Sequence, residues 1–117
     1  FGPDELKHFI NQFDPKIFGI NYDIGNSAAL GFDVKEEINA YGERILNVHI
    51  KDRILGGTTV PLGNGNVDFD SVFSALGQAG YQGNYILQTA RAQNGDHAEA
   101  LSCYKDMAVN WIECHGA

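Results

Sequence analysis

Three short apolar runs of the sequence each end in a side chain able to bind a metal ion or take part in acid/base chemistry. The residues at or near these ends are Asp23, His49 and Gln88. A carboxylate and an imidazole suit a divalent metal such as Mn²⁺, Zn²⁺ or Co²⁺, provided that further ligands exist. Each also has an ordinary explanation, because an aspartate at a strand end often forms a turn or caps a helix, and a histidine in a strand is often a hydrogen-bonded core residue.

The elements that must position these residues alternate between helix and strand, in the order α-β-α-β-α-β-α. Apolar residues at helical spacing predict the helices, and β-branched or apolar runs predict the strands. Glu36 and Glu99 follow two of the helix caps by three residues and complete capping boxes. The predicted elements are a helix at 4–13, a strand at 17–23, a loop at 25–31, a helix capped by Asp33 and ended near Gly42, a strand at 45–50, a loop at 56–66, a helix capped by Asp68 and ended by Gly80, a strand at 84–88, and a helix capped by Asp96.

Alternation of this kind predicts parallel strands with right-handed crossovers. Period-two alternation places Asp23, His49 and Gln88 on one face of the sheet, with Asn21 and Asn47 about one layer beneath. The opposite, bulky face is the one that helices would cover, and it carries Phe18, Ile20, Tyr22, Leu46, Val48, Ile50, Tyr85 and Leu87. A polar inner face favours a barrel interior over a doubly wound sheet. We therefore predict an α/β fold, a partial (βα)8 TIM barrel with about three parallel strands and four helices in one domain, residues 1–117.

Composition excludes some partners. The formal net charge is −7, with 8 Lys and Arg against 15 Asp and Glu, which argues against nucleic acid or an anionic membrane as the main partner. No apolar run approaches the roughly 20 residues that a membrane span needs. Cys103 and Cys114 lie eleven residues apart on one predicted helix, too far along it to form a disulfide. Free thiols in a reducing compartment predict a cytoplasmic protein.

Four segments resemble the sugar-phosphate isomerase/epimerase superfamily, the xylose-isomerase-like TIM barrels. They are the segments YDIGN at 22–26, VHIKDR at 48–53, VPLGNGNVDF at 60–69 and GYQG at 80–83. The resemblance covers nearly the whole chain and corresponds to the carboxyl-terminal part of such a barrel, strands six to eight with their helices.

The resemblance implies a reaction and a set of roles. The family binds a divalent metal (Mn²⁺, Zn²⁺, Co²⁺ or Mg²⁺) through two glutamates, an aspartate and a histidine, and shifts a hydrogen between adjacent sugar carbons through an enediolate. It assigns Asp23 and His49 to the metal, with Gln88 in the position of the last-strand glutamate. The implied substrate-binding residues are Asn26, Lys51, Arg53 and Arg91, of which Arg91 is an equally good surface charge.

Two departures from the family limit what this chain could do alone. The amide of Gln88 ligates a metal weakly and cannot accept a proton as a base, and the other glutamate belongs to a strand that is not in the sequence. We therefore assign no catalytic residue and expect a homodimer or association with a missing amino-terminal half-barrel. The alternative is a non-catalytic half-barrel that self-associates and keeps a vestigial sugar- or anion-binding pocket. His8, His97 and His115 lie on predicted helices away from the site and receive no role.

Overall fold

Helices and strands alternate along the chain in the computed structural model, which describes residues 2–92 and 94–116. The order is α1 (Pro3–Ile10), β1 (Ile20–Asp23), α2 (Ile24–Ala29), α3 (Val34–Tyr41), a 3₁₀ turn (Gly42–Arg44), β2 (Ile45–Ile50), β3 (Asp52–Arg53), β4 (Thr59–Val60), α4 (Phe69–Gln78), β5 (Asn84–Leu87) and α5 (His97–His115).

The three longer strands form one parallel sheet in the order β1-β2-β5. This confirms the predicted parallel arrangement. The register pairs Asn21 with Asn47 and Asn47 with Asn84 across the sheet, so three amides lie at one level. Asn84 donates from Nδ2 to Oδ1 of Asn47 at 3.3 Å.

Aspartate side chains begin three of the helices, as the sequence predicts. Asp33 accepts the backbone N–H groups of Lys35 and Glu36, and Asp68 and Asp96 each accept the N–H three residues on. Each cap satisfies an amide that the helix itself leaves without an acceptor. Within the described chain only the aspartate half of each predicted box forms, because neither Glu36 nor Glu99 returns a side-chain bond to its cap.

Helices cover the face of the sheet that carries Tyr22, Val48 and Ile50, all of which are buried. This face also holds a buried carboxylate, that of Glu37 on α3. Tyr22 donates its hydroxyl to Oε1 of Glu37 at 2.9 Å, and Tyr41 donates to Oε2 at 3.0 Å. Burial, followed by the charge of Glu37, raises the pKa of both tyrosine hydroxyls well above the usual value. Neutral hydroxyl donors therefore stabilise a carboxylate inside the core.

Element ends differ from the predicted ones in two places near the amino terminus. α1 stops at Ile10 rather than at residue 13, because Gln12 and Phe13 bond carbonyls three residues back and so form tight turns. β1 begins at Ile20 rather than at residue 17, and Phe18 is exposed outside the strand. The prediction that Phe18 belongs to the covered face is therefore wrong.

Two segments predicted as loops contain regular structure. Residues 24–29 form α2, which begins directly at the end of β1 because Asp23 caps it. The loop at 56–66 contributes β4, which pairs with β3 as an antiparallel hairpin. Both corrections concern elements of six residues or fewer, too short for hydrophobic periodicity to reveal.

Leu46 corrects the predicted faces of β2. The register between β1 and β2 shifts at this residue, since Ile20 pairs with Ile45 and Asn21 with Asn47. Leu46 is accordingly the extra residue of a bulge, and it is 54% exposed while Val48 is fully buried. A bulge interrupts strict alternation, so Leu46 does not join the buried face.

The polar face of the sheet is open. Asn21, Asn84 and Ile86 on this face are exposed, and strands β1 and β5 each have one edge without a strand partner in the sheet. Among the described residues no helix is long and apolar enough to cross a bilayer. Cys103 and Cys114 are both free and exposed on α5.

Candidate functional site

Asp23 and His49 lie side by side at the carboxyl ends of neighbouring parallel strands. They are register partners in the β1–β2 ladder, so their side chains leave the sheet on the same face. Gln88 follows β5 directly and continues the ladder, with its backbone N–H bonded to the carbonyl of Ile50 at 3.0 Å. We call Asp23, His49 and Gln88 the polar rim.

The imidazole of His49 contacts the side chain of Gln88. The distance from Nδ1 of His49 to Oε1 of Gln88 is 3.0 Å, so the imidazole donates from Nδ1 and leaves Nε2 as the acceptor or ligand atom. His49 is half-buried. The structure thus brings together the two residues that sequence patterning places on one face from separate strands.

Asp23 has two structural contacts in addition to its rim position. Oδ1 accepts the backbone N–H of Asn26 at 2.9 Å and caps α2. Oδ2 lies 3.6 Å from Nζ of Lys51, and only 13% of the Asp23 side chain and 15% of the Lys51 side chain are exposed. The capping explanation of Asp23 is therefore correct, and the carboxylate also has a cationic neighbour.

Gly25 explains why Lys51 can approach so closely. A Cβ atom at position 25 would lie 2.7 Å from Cγ and 2.9 Å from the carbonyl oxygen of Lys51. A larger residue there would push α2 away from the end of β2 and separate Lys51 from Asp23. The glycine of the YDIGN segment is therefore a packing requirement of the rim.

Arg53 joins the rim through Asn26. Its Nη1 donates to Oδ1 of Asn26 at 2.9 Å, and its Nε and Nη2 donate to the carbonyl of Gly57 at 3.1 and 2.6 Å. A guanidinium carries five N–H groups in a fixed plane, and three are engaged here. The other two N–H groups have no acceptor among the described residues, so they could donate to an anion or a sugar oxygen from a group whose orientation is already set.

The other predicted substrate contact, Arg91, does not join this network. It is exposed between β5 and α5, and no described residue accepts a hydrogen bond from its side chain. Of the helical histidines, His97 accepts the N–H of Ala92 through Nδ1, and His115 lies 3.1 Å from Asp70. Neither contacts the polar rim.

The donors of the polar rim fit part of a metal centre. Asp23 and His49 offer one carboxylate and one imidazole, and among the described residues no three His, Cys, Asp or Glu side chains come together. Gln88 adds a neutral oxygen beside the imidazole, which it contacts at Nδ1 of His49 at 3.0 Å. Zinc and manganese sites in proteins use three or more protein ligands, so further donors would have to come from outside these residues.

Sequence reasoning missed the residue that organises the neighbouring loop. Asp52 is fully buried and accepts backbone N–H groups from Gly63, Gly65 and Val67. Alternation from Val48 and Ile50 would have placed Asp52 on the covered face. A buried carboxylate demands donors, and the glycine-rich segment downstream is the one able to supply backbone N–H groups at close range.

Comparisons with known proteins agree with this architecture. The family model for the xylose isomerase-like TIM barrel matches residues 2–107. The L-ribulose-5-phosphate 3-epimerase UlaE of Salmonella paratyphi C (strain RKS4594) is 40% identical over 82 residues, which is 69% of this chain and 28% of the relative. The chain therefore spans less than a third of that relative's length.

Solved structures show the same fold. A xylose isomerase domain protein from Planctomyces limnophilus superposes with a TM-score of 0.81 at 20% identity, covering 99% of this chain and 45% of that one. The IOLI protein, solved with a bound zinc atom, superposes with a TM-score of 0.76 at 22% identity, covering 96% and 42%. The three parallel strands and their helices are part of a TIM barrel, and the chain belongs to the xylose isomerase-like TIM barrel family.

Proposed function

We propose that this chain supplies part of the catalytic face of a sugar-phosphate isomerase or epimerase, complete only with residues from outside the chain. The reaction would move a hydrogen at carbons next to the carbonyl of a keto sugar through an enediolate. The observation that carries the proposal is the register pairing of Asp23 with His49 at the open end of parallel strands, where TIM barrels place their chemistry. The L-ribulose-5-phosphate 3-epimerase name of a 40% identical relative supports this class of substrate.

Asp23 and His49 would hold a divalent metal, with Gln88 as a weak neutral ligand. When bound, such an ion polarises the sugar carbonyl and the adjacent hydroxyl. The chain's own contribution is orientation: Asn26 and Lys51 fix the two oxygens of Asp23. Lys51 must turn away from Asp23, or share it, for a metal to bind there.

Arg53 would contact substrate oxygens or a phosphate group. Its guanidinium lies next to the rim through Asn26 and keeps two N–H groups unused. Bidentate N–H groups match the geometry of phosphate and carboxylate oxygens. Proton transfer is a different matter, because Gln88 cannot act as a base. The acid and base would therefore come from outside the chain.

The outside residues would come from a second copy or from the remaining half-barrel. The sheet has two free edges. Leu46 in the bulge of β2 is 54% exposed, and Ile86 on the polar face is 42% exposed. Free strand edges and exposed apolar side chains favour association. We propose a homodimer when this chain is alone. Light scattering at micromolar concentration is expected to give twice the 12.8 kDa chain mass, and a monomeric mass would contradict it.

Calorimetry with Mn²⁺ tests the proposed metal site. Binding should be abolished by His49→Ala and unaffected by the control His8→Ala, which removes an exposed imidazole on α1. Gln88→Glu should tighten binding, because it replaces a neutral amide beside His49 with a charged ligand. Absence of detectable Mn²⁺ binding in both the natural chain and Gln88→Glu would refute the metal-dependent proposal.

The second candidate function is a non-catalytic half-barrel with a vestigial sugar or anion pocket. It is favoured by one observation: the polar side chains of the rim already have partners within the chain. Lys51 pairs with Asp23, and Gln88 bonds to His49. In this case a sugar phosphate would bind without Mn²⁺, and binding would depend on Arg53 rather than on His49. Titration of the natural chain, His49→Ala and Arg53→Ala with arabinose 5-phosphate separates the two functions.

A further inference from the structure

The carboxylate of Asp52 is wrapped by a loop of its own chain. Oδ2 accepts the N–H groups of Gly63 and Gly65, each at 2.9 Å, and Oδ1 accepts that of Val67 at 3.2 Å. Asp52 is 0% exposed. Three convergent backbone N–H groups form a concavity of the kind that binds phosphate in other proteins. Here the protein's own side chain fills it, so this loop has no anion site to offer a substrate.

No cation neutralises Asp52 among the described residues, since the ion pairs there involve other aspartates. The loop approaches closely enough for its amides alone to stabilise the charge. A Cβ atom at position 65 would meet Oδ1 of Asp52 at 2.2 Å and the carbonyl of Arg53 at 2.6 Å. Glycine is required at this position by the close approach, which makes the carboxylate and the loop one unit.

The loop in turn holds the hairpin that carries Arg53. The N–H of Asn66 bonds to the carbonyl of Arg53 at 2.8 Å, and its side-chain Oδ1 accepts the N–H of Leu55. The hairpin turn supplies the Gly57 carbonyl, which accepts two N–H groups of the Arg53 guanidinium. The contacts therefore run from Asp52, through the loop and the hairpin, to the guanidinium of Arg53, which is joined to Asp23 through Asn26.

We propose that Asp52 is a positioning residue, whose buried carboxylate fixes the loop at 61–67 and thereby the orientation of the Arg53 guanidinium at the polar rim. The inference rests on the proposed function only in assigning Arg53 to the substrate. Among the described residues, the Asp52 carboxylate bonds to the loop and not to the polar rim. Its effect is to keep a planar, bidentate donor in one orientation before a ligand arrives.

Side-chain ¹⁵N relaxation of the three arginines tests this without any ligand. Arg44 is an ordered reference because it donates to two backbone carbonyls, and the exposed Arg91 is a mobile reference. Arg53 should match Arg44 in the natural chain. In Asp52→Asn an N–H₂ group replaces one acceptor oxygen, so at least one loop bond is lost, and the Arg53 Nε–H order parameter should fall from about 0.85 to below about 0.6.

Two further variants make the outcome decisive. Asp106→Asn removes the same charge from a side chain that is 75% exposed, and it should leave Arg53 ordered. Asn66→Ala keeps the buried carboxylate and removes only the side-chain contact with Leu55. It therefore tests the connection between the loop and the hairpin even if Asp52→Asn does not fold. This variant too should make the Arg53 side chain more mobile. An Arg53 order parameter unchanged in Asn66→Ala, or in folded Asp52→Asn, overturns the inference. Failure to bind Mn²⁺ would overturn the proposed function and leave this result untouched.

Discussion

Replacing Glu37 by leucine tests whether the buried carboxylate is needed as an acceptor or only as a filler of space. Glu37 is 2% exposed and accepts the hydroxyls of Tyr22 and Tyr41 at 2.9 and 3.0 Å. Glu37→Leu keeps a similar volume and leaves both hydroxyls without this acceptor. An unsatisfied buried donor costs about 1–3 kcal/mol, so two would cost about 2–6 kcal/mol. Rotation of the two hydroxyls toward other acceptors would offset part of this cost, so the expected loss is about 2–3 kcal/mol.

Urea unfolding followed by the fluorescence of Trp111 measures this loss in the free energy of unfolding. Trp111 is the chain's one tryptophan, and it stacks on Phe69 with ring centroids 4.3 Å apart, so it reports on the packing of α5 against α4. With a urea slope of roughly 1–3 kcal/mol per molar, the midpoint should fall by about 1–2 M. The control Glu36→Leu changes an exposed neighbour on α3 and should shift stability by about 0.5 kcal/mol or less.

The triple variant decides the physical reason. Combining Glu37→Leu with Tyr22→Phe and Tyr41→Phe removes both donors along with the acceptor, and replacing all partners by apolar groups of the same shape is nearly neutral. The triple variant should therefore recover most of the stability that Glu37→Leu loses. If Glu37→Leu is as stable as the natural chain, or if the triple variant is no better than the single one, unsatisfied hydroxyls are not the cause.

Three further results are expected. The pKa values of Tyr22 and Tyr41 are raised in the folded chain. Their contribution to stability should therefore be complete below about pH 10, the pKa of an unfolded tyrosine, and should fall as the pH rises further. Urea midpoints measured from about pH 8 to 11, with tyrosine ionisation followed by absorbance at 295 nm, check this. The Ser71 hydroxyl and amide lower the pKa of Asp68. The natural chain should therefore be more stable than Asp68→Asn by its full margin above about pH 4, and this margin should disappear as the pH falls through the folded pKa. Thermal melts across this range that showed a constant difference in melting temperature would contradict the reasoning. Gly65→Ala should lower the melting temperature by several degrees, about 1–3 kcal/mol of strain, since its Cβ would meet Asp52. Gly2→Ala is the comparison variant, because Gly2 has a negative φ and an added Cβ would meet no atom closer than 3.6 Å.

The long elements could be predicted because each is marked by its own residues. The apolar run ending at His49 predicts β2 with both ends correct, since a strand buried on one face needs β-branched and apolar residues there. Asp33, Asp68 and Asp96 begin their helices as predicted, because a short carboxylate reaches the free N–H groups of the first turn.

The short elements could not be predicted because their residues do not decide them. α2 contains six residues, IGNSAA, of which glycine and asparagine are poor helix formers. It forms because Asp23 ends β1 and can cap whatever follows, and because Gly25 lets that first turn lie against Lys51. The bulge at Leu46 is likewise set by pairing with β1, and pairing between distant segments leaves no local signal.

The site divides in the same way. That Asp23 and His49 lie together follows from parallel strands and alternation, and both inputs are readable in the sequence. To predict the bond between Gln88 and His49, the register of β5 is needed as well. To predict that Arg53 is joined to Asp23 through Asn26, α2 is needed, and the sequence does not reveal this helix. Contacts that depend on one ladder were predictable, whereas contacts that depend on a short element between two ladders were not.

Three carboxylates near the ends of β1 and β2 show how surroundings decide a role. Glu37 and Asp52 are both buried, and each is stabilised by neutral donors alone, two hydroxyls or three amides. The oxygens of such a carboxylate accept hydrogen bonds from neighbouring residues of the chain, so the carboxylate orders the structure. It cannot bind a ligand unless those bonds are broken. Asp23 differs because one of its oxygens faces a cation, Lys51, at 3.6 Å. This oxygen could exchange Lys51 for another cation while the other oxygen of Asp23 keeps its bond to the N–H of Asn26. This is the physical reason to seek ligand binding at Asp23 rather than at Glu37 or Asp52.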